Sequence, residues 1–121
     1  MSRQPQLSPD QLGAPVAYLA LKDGTPVYDS NGDRVGVVEH VLAEKNIFEG
    51  VIVHTYPLPG RHLYADATQI AAVRERGLLL SVGRGELHDP RTESHESRSD
   101  GSAGSFEARL RHALDWLRRT A

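Results

Sequence analysis

Histidine is the residue type in this 121-residue chain best suited to bind a metal ion or to move a proton, and the chain has six histidines. His88 and His95 lie among carboxylates, but their spacing fits neither the i, i+4 pair of a helix nor a short chelating turn. His62 and Asp66 lie four residues apart at the ends of one strand-like run and could share a face. We expect these side chains to be solvated or rim groups rather than metal ligands.

The other residues that could do chemistry give no stronger signal. His40 and His54 each lie inside a β-type run, where a surface position or a hydrogen-bonded core position is expected, and His112 lies at the margin of a predicted helix. The chain has no cysteine, which excludes thiol nucleophiles and thiolate metal sites. No G-x-S-x-G turn accompanies the serines. We therefore expect a protein that is not an enzyme and that holds no metal or cofactor.

Composition narrows the class of protein further. With a net charge of −2, 25% charged residues and 39% hydrophobic residues, the chain fits one globular domain. It contains no N-terminal apolar segment and no run of about 20 apolar residues, so we expect neither a signal peptide nor a membrane span. These features favour a cytoplasmic protein, and the slightly acidic charge gives no general attraction for nucleic-acid phosphates.

A hairpin is the clearest local prediction. Asn31 and Gly32 both tolerate positive φ, so they predict a two-residue loop between two apolar runs. Such a loop would place Tyr28 opposite Val35. Strict alternation of apolar and polar residues breaks just after this pair, and a bulge or bend at Gly36 is the simplest interpretation.

Strand-like runs fill most of the chain between the two ends. They lie at residues 16–21, 26–28, 34–42, 50–55, 62–65 and 78–82. Short strands at close spacing are typical of a small barrel or a rolled sheet. We expect residues 16–21 and 78–82 to lie in the same sheet and close the barrel. The segment at residues 66–73 is ambiguous: it could begin with a helical turn capped by Asp66, with Ile70 and Val73 under the barrel. The predicted core includes Val38, Val51, Val53 and Leu80.

These elements resemble the PRC-barrel domain, a small β-barrel found in the photosynthetic reaction-centre H subunit and in the bacterial ribosome maturation factor. The resemblance covers residues 15–82. It is carried by the turn at residues 27–32, the Gly36-x-Val38-x-x-Val41-Leu42 pattern, the β-branched strand at residues 50–53, and a closing segment with Ile70 and Val73. The family often has a proline before the closing segment, where this chain has Ala65-Asp66. The resemblance implies a non-enzymatic interaction module of bacterial origin.

The whole chain then divides into four segments. A lead-in with one capped turn occupies residues 1–14, and the mainly β, PRC-barrel-like domain occupies residues 15–82. Residues 83–104 have Leu87 as their only large apolar residue, so we expect a flexible acidic linker that cannot offset its own ordering entropy. Residues 105–119 have the apolar period of an amphipathic helix.

Two surfaces are candidates for binding a protein partner. One is the proline-stiffened loop that displays Tyr56 and Leu58, although these side chains could equally cap one end of the barrel. The other is the apolar stripe of the helix, which consists of Phe106, Leu110, Leu114, Trp116 and Leu117. Because a helix of this length is marginal in water, we expect it to dock on its own domain at rest, with release as a switch.

The functional expectation is a protein-interaction or scaffold module that acts as an adaptor. The alternative is an RNA-linked accessory protein similar to the ribosome maturation factor. The run at residues 51–53 is apolar on both faces, so the outer face of the sheet needs a cover, and either a symmetric homodimer or the helix would supply it.

Overall fold

The computed structural model describes residues 12–44, 47–55, 60–91 and 104–120, which form one six-stranded sheet and a C-terminal helix. The strands are β1 Pro26–Tyr28, β2 Arg34–Glu44, β3 Ile47–Thr55, β4 His62–Asp66, β5 Ile70–Arg74 and β6 Gly77–Leu80, and the helix α1 is Gly104–Thr120. The sheet order is β4-β3-β2-β1-β6-β5. Every neighbouring pair is antiparallel except β1 and β6, which are parallel. The prediction of a mainly β protein with a C-terminal helix is therefore confirmed, and within the described ranges no ladder joins β4 to β5.

Residues 29–33 connect β1 to β2, and Asp29 and Asp33 close a loop of three residues, so the predicted two-residue loop is wrong. The Asp29 backbone N–H donates to the Asp33 carbonyl over 2.9 Å, and the Asp29 carboxylate accepts from the backbone N–H groups of Asn31 and Asp33. This carboxylate satisfies donors that a longer loop would otherwise leave free. The longer loop pairs Tyr28 with Arg34, and a bulge between Val27 and Tyr28 then restores the register.

Residues 16–21 do not form a strand, which corrects the predicted closure of the barrel. The backbone N–H of Val16 donates to the carbonyl of Val73 in β5, and Tyr18–Ala20 is a turn of 3-10 helix. The physical reason lies in β6, whose two edges are already occupied by β1 and β5. The N-terminal segment instead follows the outer edge of β5. Just beyond this strand, the backbone N–H of Arg76 donates to the carbonyl of the buried Leu12. Residues 1–11 of the predicted lead-in lie outside the described part.

The inner face of the sheet carries the larger hydrophobic core. The predicted core residues Val38, Val51, Val53 and Leu80 are all at most 1% exposed, which confirms their placement. Their main neighbours are Val27, Val35, Leu63 and Leu78. The period of two along β3 sends Ile52 to the opposite face, where it is also fully buried. Both faces of the sheet are therefore covered.

The cover of the outer face is the helix α1. Leu110 and Leu117 are each 2% exposed and pack with Ala113 against Ile52 and Tyr64. Full burial of one such leucine contributes about 1.5 to 3 kcal/mol relative to exposure, which offsets the cost of ordering a short helix. The helix docks on the sheet of its own chain, so this apolar face does not require a homodimer as its cover.

The start of the segment predicted as a linker packs against the sheet. Residues 84–86 form a 3-10 turn, Leu87 is only 7% exposed, and Pro90 is fully buried. His88 exchanges two backbone hydrogen bonds with Tyr64 at the edge of β4, which explains why a polar stretch is held in place. Residues 92–103 lie outside the described part.

The turn that Asp66 could cap is present, and residues 70–74, which were not among the predicted strands, form β5 directly after it. Ala67–Gln69 is a 3-10 helix that begins after Asp66, and the Asp66 carboxylate accepts from the backbone N–H of Thr68. The Gln69 side chain accepts in return from the backbone N–H of Asp66. In the described part of the chain, no helix combines the length and the apolar character that crossing a membrane requires.

Candidate functional site

Polar side chains gather on the outer face of the sheet, on either side of the docked helix. We call the first group the histidine pair site; it consists of Glu39, His54 and His62. The second is a groove between β2 and the helix, and the third is the contact between Asp66 and His88. Each group is positioned by the strands rather than by sequence proximity.

The histidine pair site brings together side chains from three neighbouring strands. His54 in β3 and His62 in β4 are direct cross-strand partners, and their rings stack with centroids 4.7 Å apart and planes 24° apart. Glu39 is the extra residue of a bulge in β2, between the paired residues Val38 and His40. A bulge redirects the side chain that it inserts, which explains how Glu39 reaches the two rings.

The distances in this site are those of a loose cluster of ligand atoms. The Glu39 Oε1 atom lies 3.9 Å from His54 Nδ1 and 4.0 Å from His62 Nε2. The three ligand atoms all lie within 4.8 Å of one another, and each side chain is about one third exposed. A cation of the size of Zn²⁺ could therefore be reached by all three side chains from solvent.

The electrostatic surroundings favour a neutral ring at His62. Burial lowers the pKa of His62 below its usual 6.5, and the nearby His54 and Arg91 lower it further, while Glu39 opposes them. A neutral imidazole keeps a lone pair that can bind a metal ion.

Asp66 and His88 form a buried contact at the opposite end of β4. The Asp66 Oδ2 atom lies 3.0 Å from His88 Nε2, and the Asp66 side chain is 8% exposed. Burial alone would raise the pKa of Asp66, but hydrogen bonds from Thr68 and His88 outweigh burial and hold this pKa below its usual value. The His88 ring also packs against Phe106 of the helix. This pair therefore ties the segment at residues 83–91 to the sheet and to the helix.

The groove between β2 and the helix has a volume of about 210 Å³. Its floor is an aromatic stack in which the Trp116 ring lies 4.7 Å from the His40 ring, with the planes only 10° apart. His112 Nδ1 lies 2.9 Å from the buried carboxylate of Glu49, which fixes the helix against β3. The exposed Arg119 lines the groove at the end of the helix. The groove thus combines a fixed aromatic surface with charged groups.

A second cleft, with a volume of about 420 Å³, opens beside the ends of β3 and β4. Its lining includes Thr55, Leu63 and Leu87, together with an ion pair in which Arg61 Nη2 lies 2.8 Å from Asp89 Oδ2. The cleft adjoins the loop predicted to bind a partner, but Tyr56 and Leu58 themselves lie outside the described residues.

The structure divides the other predicted partner-binding residues. Leu110 and Leu117 are buried against the sheet, while Phe106 and Leu114 are half-buried. Only Trp116, which is half-buried, lines the groove. Phe106, Leu110 and Leu117 therefore serve as internal contacts of the helix, and Trp116 both packs on the same cluster and lines the groove.

Sequence reasoning missed the histidine pair site because it considered His54 and His62 separately. Pairing β3 with β4 across the intervening loop puts these two residues opposite each other, and that pairing was within reach of the sequence. The position of Glu39 could not be predicted from the sequence, because it depends on a bulge that no residue type in β2 indicates.

Comparison with protein-family models and with curated proteins finds no match for this chain.

Proposed function

We propose that this protein is a non-enzymatic protein-interaction module, an adaptor of the bacterial cytoplasm, built on a PRC-barrel-like scaffold. The single observation that carries the proposal is the groove in which Trp116 stacks on His40 beside Arg119. Tryptophan and arginine are the residue types most enriched among the few residues that dominate binding at protein interfaces.

The groove is fixed before any partner arrives. Leu110 and Leu117 anchor the helix on the sheet before and after Trp116, and the His112 contact with Glu49 anchors it at the groove itself. A surface that is already ordered loses little entropy on binding, which raises the affinity that a small contact can reach. The volume of the groove suits one or two side chains of a partner.

The charges at the groove select the partner's chemistry. Asp115 and Arg119 both line it, so a partner segment that offers an apolar side chain to Trp116, a carboxylate to Arg119 and a basic group to Asp115 would complement every charge. We therefore propose a short apolar peptide segment that carries both an acidic and a basic residue as the element that binds.

The scaffold part of the proposal is supported by irregularities in the sheet. The register shifts opposite Val27 and Tyr28, at Glu39 in β2 and at Glu49 in β3, and bulges of this kind bend and twist strands in the way that a rolled sheet requires. The parallel contact of β1 with β6 brings the first and last strands of the sequence together.

The test is affinity capture from a bacterial lysate with two matched variants. Arg119→Glu changes the groove, whereas Arg118→Glu makes the same charge change on the adjacent exposed residue that does not line it. For at least one captured protein, we expect the amount captured to fall by more than about fivefold with Arg119→Glu, which corresponds to a loss of about 1 kcal/mol in binding free energy. The amount captured should stay constant with Arg118→Glu.

Two outcomes would contradict the proposal. Equal capture of every protein by the two variants would show that the groove is not the binding surface. Salt-sensitive co-sedimentation with ribosomal subunits that nuclease abolishes would instead favour the RNA-linked alternative, since phosphate contacts depend strongly on ionic strength.

A further inference from the structure

We propose that Glu39, His54 and His62 form a binding site for a divalent transition-metal ion, with Zn²⁺ as the ion that the ligand set fits best. The site is separate from the groove, and nothing in the interaction proposal depends on it. Two imidazoles and one carboxylate are one of the ligand sets that zinc uses in proteins, and they leave a fourth tetrahedral position open.

The distances require only a small adjustment. With bonds of about 2.0 to 2.2 Å, two ligand atoms of a tetrahedral zinc ion lie about 3.3 to 3.5 Å apart. The Glu39 Oε1 atom is 3.9 Å from His54 Nδ1 and 4.0 Å from His62 Nε2, so each pair must close by roughly half an ångström. The two imidazole nitrogens lie within 4.8 Å of each other, and the rings, stacked with planes 24° apart, must rotate so that each points its lone pair at the ion. Side chains that are about one third exposed have room for this rotation.

The backbone that carries the ligands is already in place. His54 and His62 are paired residues of adjacent antiparallel strands, and Glu39 comes from the next strand of the same sheet. Because the ligands come from strands rather than loops, metal binding pays little for ordering the backbone. The entropic cost of ordering the backbone, which commonly weakens metal binding at a cluster of surface side chains, is therefore small at this site.

Gly60 helps to hold the His54 ring. A Cβ atom at position 60 would lie 2.5 Å from His54 Nε2 and 2.7 Å from the Thr55 carbonyl, so only glycine lets the chain pass this close. The chain therefore packs against the Nε2 side of the ring while Nδ1 lies on the side of Glu39.

The chemistry of the ligands selects the class of metal. Imidazole nitrogen suits zinc, copper and nickel, whereas calcium and magnesium prefer sites made of oxygen alone. The Glu39 carboxylate supplies the negative charge that a dication requires. The positive charge of Arg91, which is felt at His62, partly offsets this attraction.

The test is calorimetric titration of the intact protein with ZnCl₂ alone, with MgCl₂ as the comparison. We expect one equivalent of Zn²⁺ to bind and no heat from Mg²⁺. Glu39→Gln, His54→Gln and His62→Gln should each weaken Zn²⁺ binding by at least tenfold, because loss of even an outer-shell partner costs about 10- to 100-fold. Glu86→Gln, which changes an exposed glutamate elsewhere, should bind as the wild type does.

A second measurement keeps the proposal falsifiable if a variant does not fold. In the unmodified protein, Zn²⁺ should shift the NMR ring resonances of His54 and His62 at one equivalent and leave those of His112 unchanged. Binding that is equally strong in the Glu39→Gln and Glu86→Gln variants, shifts confined to other histidines, or no binding at all would each overturn the proposal.

Discussion

The substitution Leu110→Ala tests whether the helix is an integral part of the folded sheet. Leu110 is 2% exposed and packs with Ile52 and Tyr64 on the outer face. Removing three carbon groups at about 0.8 kcal/mol each costs roughly 2.4 kcal/mol in transfer free energy alone. The cavity left between the helix and β3 adds to this, so we expect the free energy of unfolding to fall by about 2.5 to 4 kcal/mol.

Urea unfolding followed by two probes measures this effect. Far-UV circular dichroism reports the whole fold, and the fluorescence of Trp116, the only tryptophan, reports the helix at its contact with His40. We expect the two transitions to coincide in the wild type, because a helix that contributes to the core unfolds with it. For a domain of this size, the thermal midpoint of Leu110→Ala should fall by roughly 10 to 20 °C.

Arg111→Ala is the matched control, since Arg111 is the next residue and is exposed. Its free energy of unfolding should stay within about 0.5 kcal/mol of the wild-type value. If Leu110→Ala were equally mild, or if Trp116 fluorescence changed at a much lower urea concentration than circular dichroism in the wild type, the helix would not be part of the core and the reasoning would fail.

Three further predictions concern the sheet. Val53→Asp should abolish cooperative unfolding, because Val53 is fully buried and an unpaired buried charge costs several kcal/mol, and a wild-type melt would refute this placement. Gly36→Ala should strongly destabilise the protein, since its Cβ would lie 2.0 Å from the His54 carbonyl, whereas Gly85→Ala, which meets open space, should melt near the wild-type temperature. The folded pKa of Asp66 lies below the usual 3.8, so the stability that its ionised carboxylate contributes is present above pH 3.8 and is lost as the pH falls through the folded pKa. Asp66→Asn should therefore reduce the loss of stability on acidification when the free energy of unfolding in urea is measured against pH. An unchanged pH profile would show that Asp66 is not the source of this loss.

Sequence reasoning found the features that depend on neighbouring residues. The alternation in β3 placed Val51 and Val53 in the core, and the carboxylate of Asp66 predicted the turn that it caps. The apolar period of residues 105–119 predicted the helix and the face by which it docks. The sequence-based prediction was wrong at the hairpin, where the Asp29 side chain stabilises a longer loop and shifts the register by one residue.

The sequence by itself determined the other predicted strands, the C-terminal helix and the buried valines, because period and residue type act over a few residues. It predicted a strand at residues 16–21, which is wrong, and it did not predict the strand β5. Only the tertiary structure decided which strands pair. β6 can bond to two neighbours, and once β1 and β5 occupy its edges, residues 16–21 are left to turn beside β5. The same pairing, with one bulge in β2, brings Glu39 beside His54 and His62. Competition among distant segments for a limited number of hydrogen-bonding edges is a property of the whole chain, and no short stretch of sequence contains it.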